Sequence, residues 1–510
     1  MKIITADQAA ALLQDHWTLV PGGFGSCGHP DAVTQAIQRR FLAERRPRGL
    51  TLLFAAGAGD KAGRGLDALA HEDLVHCAIG GFWGLAPKLT DLVRNNRIEA
   101  HNWPQGAISQ LFRATAARLP GVISRTGLGT FVDPDEDGGR LNRATQRSLV
   151  RKIAIGDEAF LFYPTQPINC ALVRGTTSDG QGNISGENEV SFQDSLAQST
   201  AARNTGGIVI AQVERLVENG SIQPHDVRVP GVLVDYVVVA DPVQHPQTYG
   251  TRMDRSFVTA GQRRPEPEEL TPQHRIIARR AAEEIRRRPG ALVNLGIGMP
   301  AAIGSMADEL GLDDFVLTVE SGQIGGTPAA GLSFGASTHP QAVIEQSALF
   351  DLYDGGGLDL AFLGFAEADS AGNVNVSRFA DKLPGAGGFI NISQNAKVVV
   401  FCGTLTVRNL EVEVARGQLR IVREGKTKKF VQRVGQVTFN GGRSPPTRQK
   451  ILFVTERAVF SLVNGVLQLD EIAPGIDIDT HIVPQMDAHF VISSGIKLMP
   501  SSVFEGMRDA

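Results

Sequence analysis

The chain has 510 residues, of which 42% are hydrophobic and 20% are charged, and its formal net charge is −4. This composition is typical of a globular protein. The length is sufficient for about three domains or for two large α/β units. The charge balance favours neither nucleic acid nor an anionic membrane surface as a partner.

The cysteines argue against a disulfide framework and against a metal site, because they lie far apart without close Cys/His spacing. They are Cys27, Cys77, Cys170 and Cys402. The N-terminal sequence has no apolar stretch of signal-peptide length, and no apolar run approaches the ~20 residues of a membrane span. We therefore expect a cytoplasmic protein without a bound metal.

The first part of the chain alternates helical patterns with short apolar strands. A helix is predicted over residues 5–16, with Thr5 as the N-cap and Gln8 completing a capping box, and a second over residues 31–44. The predicted strands are 50–56, 75–80, 160–163, 170–173, 208–213 and 234–240. This alternation favours a mainly parallel α/β sheet.

A change in amino-acid composition divides the chain. Residues 246–272 are rich in proline, glycine and charge, which predicts a linker between an N-terminal α/β domain (1–245) and a C-terminal one (273–510). An arginine-rich helix is predicted directly after the linker. Residues 406–435 alternate apolar and polar side chains, which predicts a small β-meander in the second half.

Two pairs of short motifs indicate that the halves are related. Gly28-x-Pro30 is echoed by Gly298-x-Pro300, and the turn Asp179–Asn183 by the turn Asp369–Asn373. The offsets are 300 − 30 = 270 and 373 − 183 = 190 residues, so the first half would carry about 80 extra residues between the two landmarks. We interpret the chain as two related α/β halves.

The first glycine loop also fits a dinucleotide fingerprint. The segment Gly23–Gly28 matches G-x-G-x-x-G after a predicted strand. The acidic residue that should bind the ribose is absent, because the next strand ends at Gly57 with no carboxylate before Asp60. A structural turn is therefore the better interpretation of this loop than nicotinamide binding.

A single carboxylate stands out in the second half. Glu320 directly follows the apolar strand 315–319 and precedes a glycine-rich turn. Ligands bind at this edge of open α/β sheets, although a solvated end-of-strand residue explains Glu320 alone equally well. Asn294, Gly296 and Gly298 follow another predicted strand and are expected along the same edge. The loop Gly385–Gly388 is either an ordinary turn or a set of backbone donors for an oxyanion.

Taken together, these motifs resemble the family I CoA-transferases, the acetate, propionate and 3-oxoacid group, and most closely its fused single-chain bacterial members. The matching motifs follow the family order from about residue 5 to residue 460, and the setting of the glutamate motif is the specific part. They are Gly22–Gly25, Gly28–Pro30, Trp103–Gly106, Asn294–Pro300, Glu320–Gly322, Ile324–Gly326, Leu363–Gly364, Asp369–Asn373 and Gly385–Gly388. One departure is Ser321, where the ketone-body branch usually has asparagine, and it leaves the preferred acyl group open.

The resemblance implies two open α/β lobes with mainly parallel sheets and a ping-pong transfer of CoA from a short-chain acyl-CoA to a carboxylate. It makes Glu320 the nucleophile that carries a glutamyl-CoA thioester. Gln105, Asn294, Gly387 and Gly388 would line the reacting carbonyl, although Gln105 alone also fits the polar end of a turn. The candidate CoA-binding positions are Gly296, Gly298 and Gly364.

The resemblance also implies no permanently bound cofactor, CoA being a covalently held co-substrate, and it implies a homo-oligomer that serves short-chain fatty acid or ketone-body metabolism. Two alternatives stay open at this point. One is an acyl-CoA hydrolase on the same fold, and the other is a non-catalytic CoA-binding protein.

Overall fold

The structure, a computed structural model, describes residues 1–262, 269–443 and 449–505. It divides into two units, each of which is made of three separate segments of the sequence. The first unit comprises Met1–Arg263, Val319–Asp351 and Lys382–Asn391, and the second comprises Arg264–Thr318, Leu352–Asp381 and Ile392–Ala510. Two short stretches from the second half of the sequence therefore belong to the unit that contains the N-terminus.

The first unit is built on an eight-stranded sheet in which every pairing is parallel. Its spatial order is Lys2–Ile3, Tyr236–Val239, Ile208–Val213, Cys170–Arg174, Thr18–Pro21, Leu50–Ala56, Val75–Phe82 and Glu99–Asn102. The helices of this unit are Ala6–Leu12, Asp31–Glu44, Pro87–Arg94, Gln105–Ala116 and Ser195–Asn204. The predicted parallel α/β architecture is confirmed.

This sheet buries both of its faces. Along Leu50–Ala56, Leu53 and Ala55 belong to one apolar cluster, whereas Leu52 and Phe54 belong to another. Because successive side chains of a strand point to opposite faces, the two clusters are two separate cores. Continuous apolar strands, rather than alternating ones, are what a sheet covered on both sides requires.

Smaller sheets complete the first unit. Arg215–Val217, Thr177–Asp179, Ile184–Ser185 and Val227–Val229 form one, and Gly121–Ser124, Glu158–Pro164 and Arg151–Ile155 form an antiparallel one. The predicted strand 160–163 thus lies in a separate sheet, which its apolar composition did not reveal. Two short antiparallel pairs follow Glu320, namely Gln323–Ile324 with Ala342–Val343 and Thr327–Pro328 with Ser337–Thr338.

The second unit repeats the parallel plan. Its strands run in the order Phe315–Val319, Ala291–Leu295, Leu360–Gly364, Val398–Cys402, Lys450–Val454, Ala458–Val463, Val466–Ile472 and Val491–Leu498. The first five are parallel to one another, and Ala458–Val463 is antiparallel to both of its neighbours. Its helices are Pro272–Arg286, Ala302–Glu309 and Ile478–His481. The helices Gln346–Asp354 and Phe389–Asn395 each begin in the first unit and end in the second.

The internal repeat is visible in the strand order. Thr18–Pro21 lies between Leu50–Ala56 and Cys170–Arg174 in the first sheet, and Ala291–Leu295 lies between Phe315–Val319 and Leu360–Gly364 in the second. Pro30 directly precedes the helix Asp31–Glu44, and Pro300 lies in the short turn Met299–Ala301 that leads into the helix Ala302–Glu309. The two prolines therefore hold equivalent places in the two units.

The second pair of motifs forms the same hydrogen-bonded turn twice. One carboxylate oxygen of Asp179 accepts the Asn183 N–H over 3.0 Å, and the corresponding oxygen of Asp369 accepts the Asn373 N–H over 3.1 Å. In each turn the asparagine side chain donates to the other carboxylate oxygen. The asparagine carbonyls then accept the N–H groups of Gly231 and Gly441, so the repeat extends to side-chain detail.

Two other regions with a predicted structure can be compared with the observed one. Thr5 and Gln8 form the predicted capping box, but the helix ends at Leu12 because Leu13 is already extended. Residues 406–435 form antiparallel strands as predicted, but not a meander of consecutive neighbours. The outer strands Thr406–Val407 and Thr427–Lys428 form one pair, and the inner strands Glu411–Ala415 and Gln418–Arg423 form another.

The structure describes only part of the predicted linker 246–272. Gln247 and Thr248 are buried in the first unit, whereas residues 263–268 lie outside the described residues. The linker and the domain limits 1–245 and 273–510 stay predictions. No helix in the described part of the chain combines the length and apolarity needed to cross a membrane.

Candidate active site

Glu320 is the first residue after the strand Phe315–Val319, and it is half-buried. The chain turns at once, because the Gly322 N–H donates to the Val319 carbonyl over 2.9 Å. Gly322 has a φ of +123°, and a Cβ at this position would lie 2.0 Å from the Ile344 carbonyl oxygen. A glycine is therefore required for the chain to fold back directly after the carboxylate.

The two polar residues that follow Glu320 anchor this turn. Ser321 and Gln323 are both fully buried. The Ser321 hydroxyl lies 2.9 Å from the Gly335 carbonyl, and the Gln323 amide donates to the same carbonyl over 2.8 Å and to the Val190 carbonyl over 2.6 Å. The serine of the Glu-Ser-Gly motif therefore fixes the turn from inside the first unit.

Gln105 and the glycine loop of residues 385–388 are in direct contact. Gln105 begins the helix Gln105–Ala116, and its backbone N–H donates to the Gly387 carbonyl over 3.0 Å. The Gly387 N–H in turn donates to the Gly81 carbonyl over 2.9 Å. Within the described residues, the Gly388 N–H makes no hydrogen bond. The two glycines therefore differ in the availability of their donors.

A short segment connects the Glu320 turn to Gln105. The Ile344 N–H donates to the Gly322 carbonyl over 2.9 Å. Two residues further on, the Gln346 side-chain carbonyl accepts a hydrogen bond from the Gln105 amide over 3.3 Å. Residues 344–346 thus contact both places, and they lie in the first unit with Glu320, Gln105, Gly387 and Gly388.

A buried carboxylate sets the orientation of Gln346. The Gln346 amide donates to one oxygen of Asp194 over 2.6 Å and lies 2.7 Å from the Ser109 hydroxyl. Ser109 donates to the same Asp194 oxygen over 2.6 Å. Because the NH₂ group of Gln346 faces Asp194, its carbonyl must face Gln105. Asp194, Ser109 and Gln346 therefore form a network, here called the Asp194 network, that positions the Gln105 side chain.

The Asp194 network contains an unusual acid. Asp194 is 1% exposed, and burial raises its pKa to about 7, with the nearby charge of Glu345 adding to the rise. The hydrogen bonds from Ser109 and Gln346 oppose the rise but do not cancel it. Burial also raises the pKa of Glu345. The surroundings of Asp194 and Glu345 therefore disfavour the ionised form of these two carboxyl groups.

The first glycine loop encloses a side chain of this same region. The Gly23 N–H donates to the Gln193 carbonyl over 2.9 Å, and the Gln193 amide donates to the Cys27 carbonyl over 3.3 Å. A Cβ at Gly28 would lie 1.6 Å from the Gln193 amide nitrogen. The loop 23–28 is thus shaped around Gln193, which supports the structural interpretation of its glycines.

Asn294 lies in the second unit and is completely buried. Its amide nitrogen lies 3.4 Å from the Thr318 carbonyl, and its side-chain oxygen has no hydrogen-bond partner within the described residues. The residue paired with Asn294 on the neighbouring strand is Thr318, two positions before Glu320. The predicted common sheet edge is therefore consistent with the strand register.

The candidate glycines of the second unit lie at adjacent strand ends. The Gly296 N–H donates to the Phe362 carbonyl over 2.8 Å, so it continues the sheet. Gly298 has a φ of +85° and open space where a Cβ would be. At Gly364 the nearest atom to such a Cβ is the Ile297 carbonyl oxygen, 4.0 Å away. Gly298 and Gly364 therefore present uncrowded backbone.

Comparisons with known proteins identify the family. The model of the coenzyme A transferase family matches residues 3–240. A caffeate CoA-transferase of Acetobacterium woodii is 43% identical over 99% of this chain and 97% of its own length. The acetate CoA-transferase YdiF of Escherichia coli O157:H7 is 41% identical over 99% of this chain and 95% of its own.

Solved structures give the same result. The apoenzyme of the acyl-CoA transferase YdiF from Escherichia coli O157:H7 superposes with a TM-score of 0.93 at 40% identity, covering 99% of this chain and 96% of that one. A second structure of that enzyme, described as a thioester complex with CoA, gives a TM-score of 0.92 at 39% identity with the same coverage. The chain belongs to the coenzyme A transferase family, and it is a single-chain CoA-transferase of the type that its sequence motifs predicted.

Proposed function

We propose that Glu320 is the nucleophile of the transfer and carries CoA as a glutamyl thioester. The observation that carries this proposal is the position of the carboxylate, at the carboxyl end of a parallel strand on a turn fixed by Ser321, Gly322 and Gln323. A thioester complex with CoA is described for the similar Escherichia coli enzyme, which supports a covalent intermediate here.

The chemistry explains the choice of a carboxylate. The Glu320 carboxylate attacks the acyl-CoA carbonyl, the C–S bond breaks, and CoA leaves as a thiolate. The product that remains on the enzyme is an acyl–glutamyl anhydride. The thiolate then attacks the glutamyl carbonyl, which releases the donor's carboxylate and leaves glutamyl-CoA. An acceptor carboxylate reverses these steps, and the energy of the thioester is retained throughout. Water must be excluded, because both intermediates hydrolyse.

The surrounding residues have distinct proposed roles. Each attack on the Glu320 carbonyl produces an oxyanion that needs hydrogen-bond donors. We assign this task to the Gly388 N–H and the Gln105 side chain, because the Gly387 N–H is already bonded to Gly81. Gly387 would orient the loop, and by the family resemblance Asn294 would line the reacting carbonyl. The bare backbone at Gly296, Gly298 and Gly364 is proposed to approach CoA.

The substrates are proposed to be short-chain acyl-CoA donors and small carboxylate acceptors. Close to the Glu320 turn, Phe24 and Phe334 pack with ring centroids 5.6 Å apart. A Cβ at Gly25 would lie 2.9 Å from the Phe334 ring, so the Gly25 backbone lies directly against that ring. The similar enzymes are named for acetate and for caffeate, which differ greatly in size. By the family resemblance, the proposed acyl groups are small ones such as acetate, propionate or a 3-oxoacid.

The central test is the covalent intermediate. Incubation with acetyl-CoA in the absence of acceptor is expected to leave one CoA on the protein by intact-mass spectrometry, and borohydride should reduce the thioester to an alcohol at residue 320. Glu320→Gln should fold normally, form no adduct and lose transfer by several orders of magnitude. Glu345→Gln, which removes another half-buried carboxylate of the same unit, is the matched control and should still form the adduct.

Adduct formation by Glu320→Gln, or borohydride labelling at another carboxylate, would refute the assignment. Loss of acyl-CoA at the same rate with and without an acceptor would instead identify a hydrolase. A panel of acetate, propionate, acetoacetate and succinate as acceptors then measures substrate preference, for which one methylene is worth only ~1–3 kcal/mol.

The cellular location, the oligomeric state and the metabolic role are also proposals. By its resemblance to the family, the protein is proposed to be a cytoplasmic homo-oligomer of short-chain fatty acid or ketone-body metabolism. It would need no permanent cofactor, since CoA itself is the covalently held co-substrate. Light scattering of the purified chain measures the oligomeric state directly.

A further inference from the structure

Strand pairing brings together three side chains of the kinds that bind transition metals. Cys77 lies on the strand Val75–Phe82, and Glu99 and His101 lie on the edge strand Glu99–Asn102. Cys77 is paired with Glu99, and Ile79 with His101. Because paired residues share a face and residues two apart on a strand do too, all three side chains project from one face of the sheet.

The ligand atoms are already close. The Cys77 sulfur, a Glu99 carboxylate oxygen and a ring nitrogen of His101 all lie within 4.8 Å of one another. In tetrahedral zinc sites with bonds of ~2.0–2.3 Å, ligand atoms lie about 3.4–3.8 Å apart. Small side-chain rotations would therefore close the group around an ion. Among the residues that the structure describes, no other group of this kind is found.

One ring nitrogen of His101 lacks the partner that its burial requires. His101 is 1% exposed, and its Nδ1 has no hydrogen-bond partner within the described residues. A buried polar atom without a partner costs about 1–3 kcal/mol. This orphan nitrogen is a second observation, independent of the clustering, that indicates a missing ligand.

We propose that Cys77, Glu99 and His101 bind one divalent cation of the zinc type, with a fourth position open to water. The thiolate and the carboxylate together balance the charge of the ion, and the thiol proton is released to solvent on binding. A sulfur and an imidazole among the ligands exclude Mg²⁺ and Ca²⁺, which take oxygen ligands. Nothing in the local sequence reveals the site, because the fold alone brings residue 77 to residues 99 and 101.

An ion at this site would stabilise the edge strand of the first sheet. Glu99–Asn102 is the last strand of that sheet and leads, through Trp103 and Pro104, directly into Gln105. An ion shared between this strand and Val75–Phe82 would cross-link the edge to its neighbour. Zinc is therefore expected to raise thermal stability, because a ligand that binds only the folded state stabilises it.

Zinc binding by the full-length protein tests the proposal. Protein freed of metal by a chelator is titrated with Zn²⁺ against a chromophoric competitor, and bound metal per chain is measured by mass spectrometry. Co²⁺ serves as the spectroscopic probe, because thiolate coordination gives a charge-transfer absorption. We expect one zinc per chain, a thiolate–cobalt band and a higher melting temperature with zinc.

Two variants and a matched control decide the outcome. Cys77→Ser and Glu99→Gln should each weaken zinc binding at least tenfold, and Cys77→Ser should abolish the cobalt band. Cys170→Ser, which alters a buried cysteine of the same sheet, should bind zinc as the unaltered protein does. Absence of zinc binding at micromolar concentration, or unchanged binding in both variants, would overturn the proposal. The glutamyl-CoA adduct is measured separately, so neither result depends on the other.

Discussion

At the scale of single residues, two carboxylates of the first unit occupy very different surroundings. Glu320 is half-buried on a turn, whereas Asp194 is enclosed and receives two hydrogen bonds on one oxygen. The other Asp194 oxygen has no partner within the described residues. Such a buried group is costly to ionise, so Asp194 is suited to orient neighbouring amides rather than to react.

Replacing Asp194 should change how stability depends on pH. The pKa of Asp194 is raised from 3.8 to about 7, so the folded protein holds a proton that the unfolded chain loses between these values. Stability therefore falls as pH rises from about 4 to about 7 and is level above that range. Asp194→Asn keeps a hydrogen-bond acceptor but cannot ionise, so its stability relative to the unaltered protein should increase across this window.

Urea unfolding of both proteins from pH 4 to pH 8 measures this difference. Glu345→Gln is a second test, since it removes the neighbouring charge that helps to raise the Asp194 pKa and should therefore weaken the pH dependence without abolishing it. Parallel stability profiles for Asp194→Asn and the unaltered protein would contradict the prediction.

Sequence reasoning locates Glu320 but not the residues that surround it. A charge directly after an apolar strand is a local signal. The Asp194 network has no such signal, because Asp194 lies 85 residues from Ser109 and 152 from Gln346. Asp194 is the N-cap residue of the helix Ser195–Asn204, yet its side chain makes no capping hydrogen bond and bonds to the network instead.

At the scale of elements, glycine backbone makes the Glu320 turn possible. Gly322→Ala should lower the free energy of unfolding by ~3 kcal/mol or more, because it combines an unfavourable φ with a contact against the Ile344 carbonyl. Gly331→Ala is the matched control, since Gly331 has a φ of +60° but open space around its Cβ position, and it should cost only ~1 kcal/mol.

Chemical unfolding and transfer rates of both glycine variants test this reasoning. The displaced turn should make Gly322→Ala slow in CoA transfer even where it remains folded. Equal losses of stability in the two variants would show that conformation alone, and not the contact with Ile344, limits the turn.

The repeated aspartate turns give a paired prediction. Asp179→Ala and Asp369→Ala each remove the acceptor of the same set of hydrogen bonds, in the first and the second unit respectively. Hydrogen bonds to a charged group are worth ~1.5–3 kcal/mol each, so each variant should be destabilised by ~3 kcal/mol. Differential scanning calorimetry compares them, and a severe effect at one turn with none at the other would contradict their equivalence.

Elements with strong local patterns were predictable, and their tertiary placement was not. The strand Leu50–Ala56 and the helix Asp31–Glu44 have the predicted limits, because apolar runs and helix-start signals are local. The assignment of Val319–Asp351 and Lys382–Asn391 to the first unit was missed. An apolar pattern specifies that a segment is buried, but not against which sheet.

At the scale of the whole molecule, a covalent intermediate dictates the kinetics. Because the donor's carboxylate leaves before the acceptor binds, initial rates at varied donor and acceptor concentrations should give parallel double-reciprocal lines. Isotope exchange between acetyl-CoA and labelled acetate should proceed without a second acceptor. Intersecting lines would indicate a ternary complex and exclude the double displacement.

The first unit is made of segments that are translated far apart in time. The chain emerges from the ribosome with its N-terminus first, yet this unit includes residues as late as Asn391. Until then, Gly81 and Gln105 have no Gly387 to bond, and Gln105 has no Gln346. The unit that begins to be translated first can therefore complete these hydrogen bonds only after residues 346 and 387 have been translated.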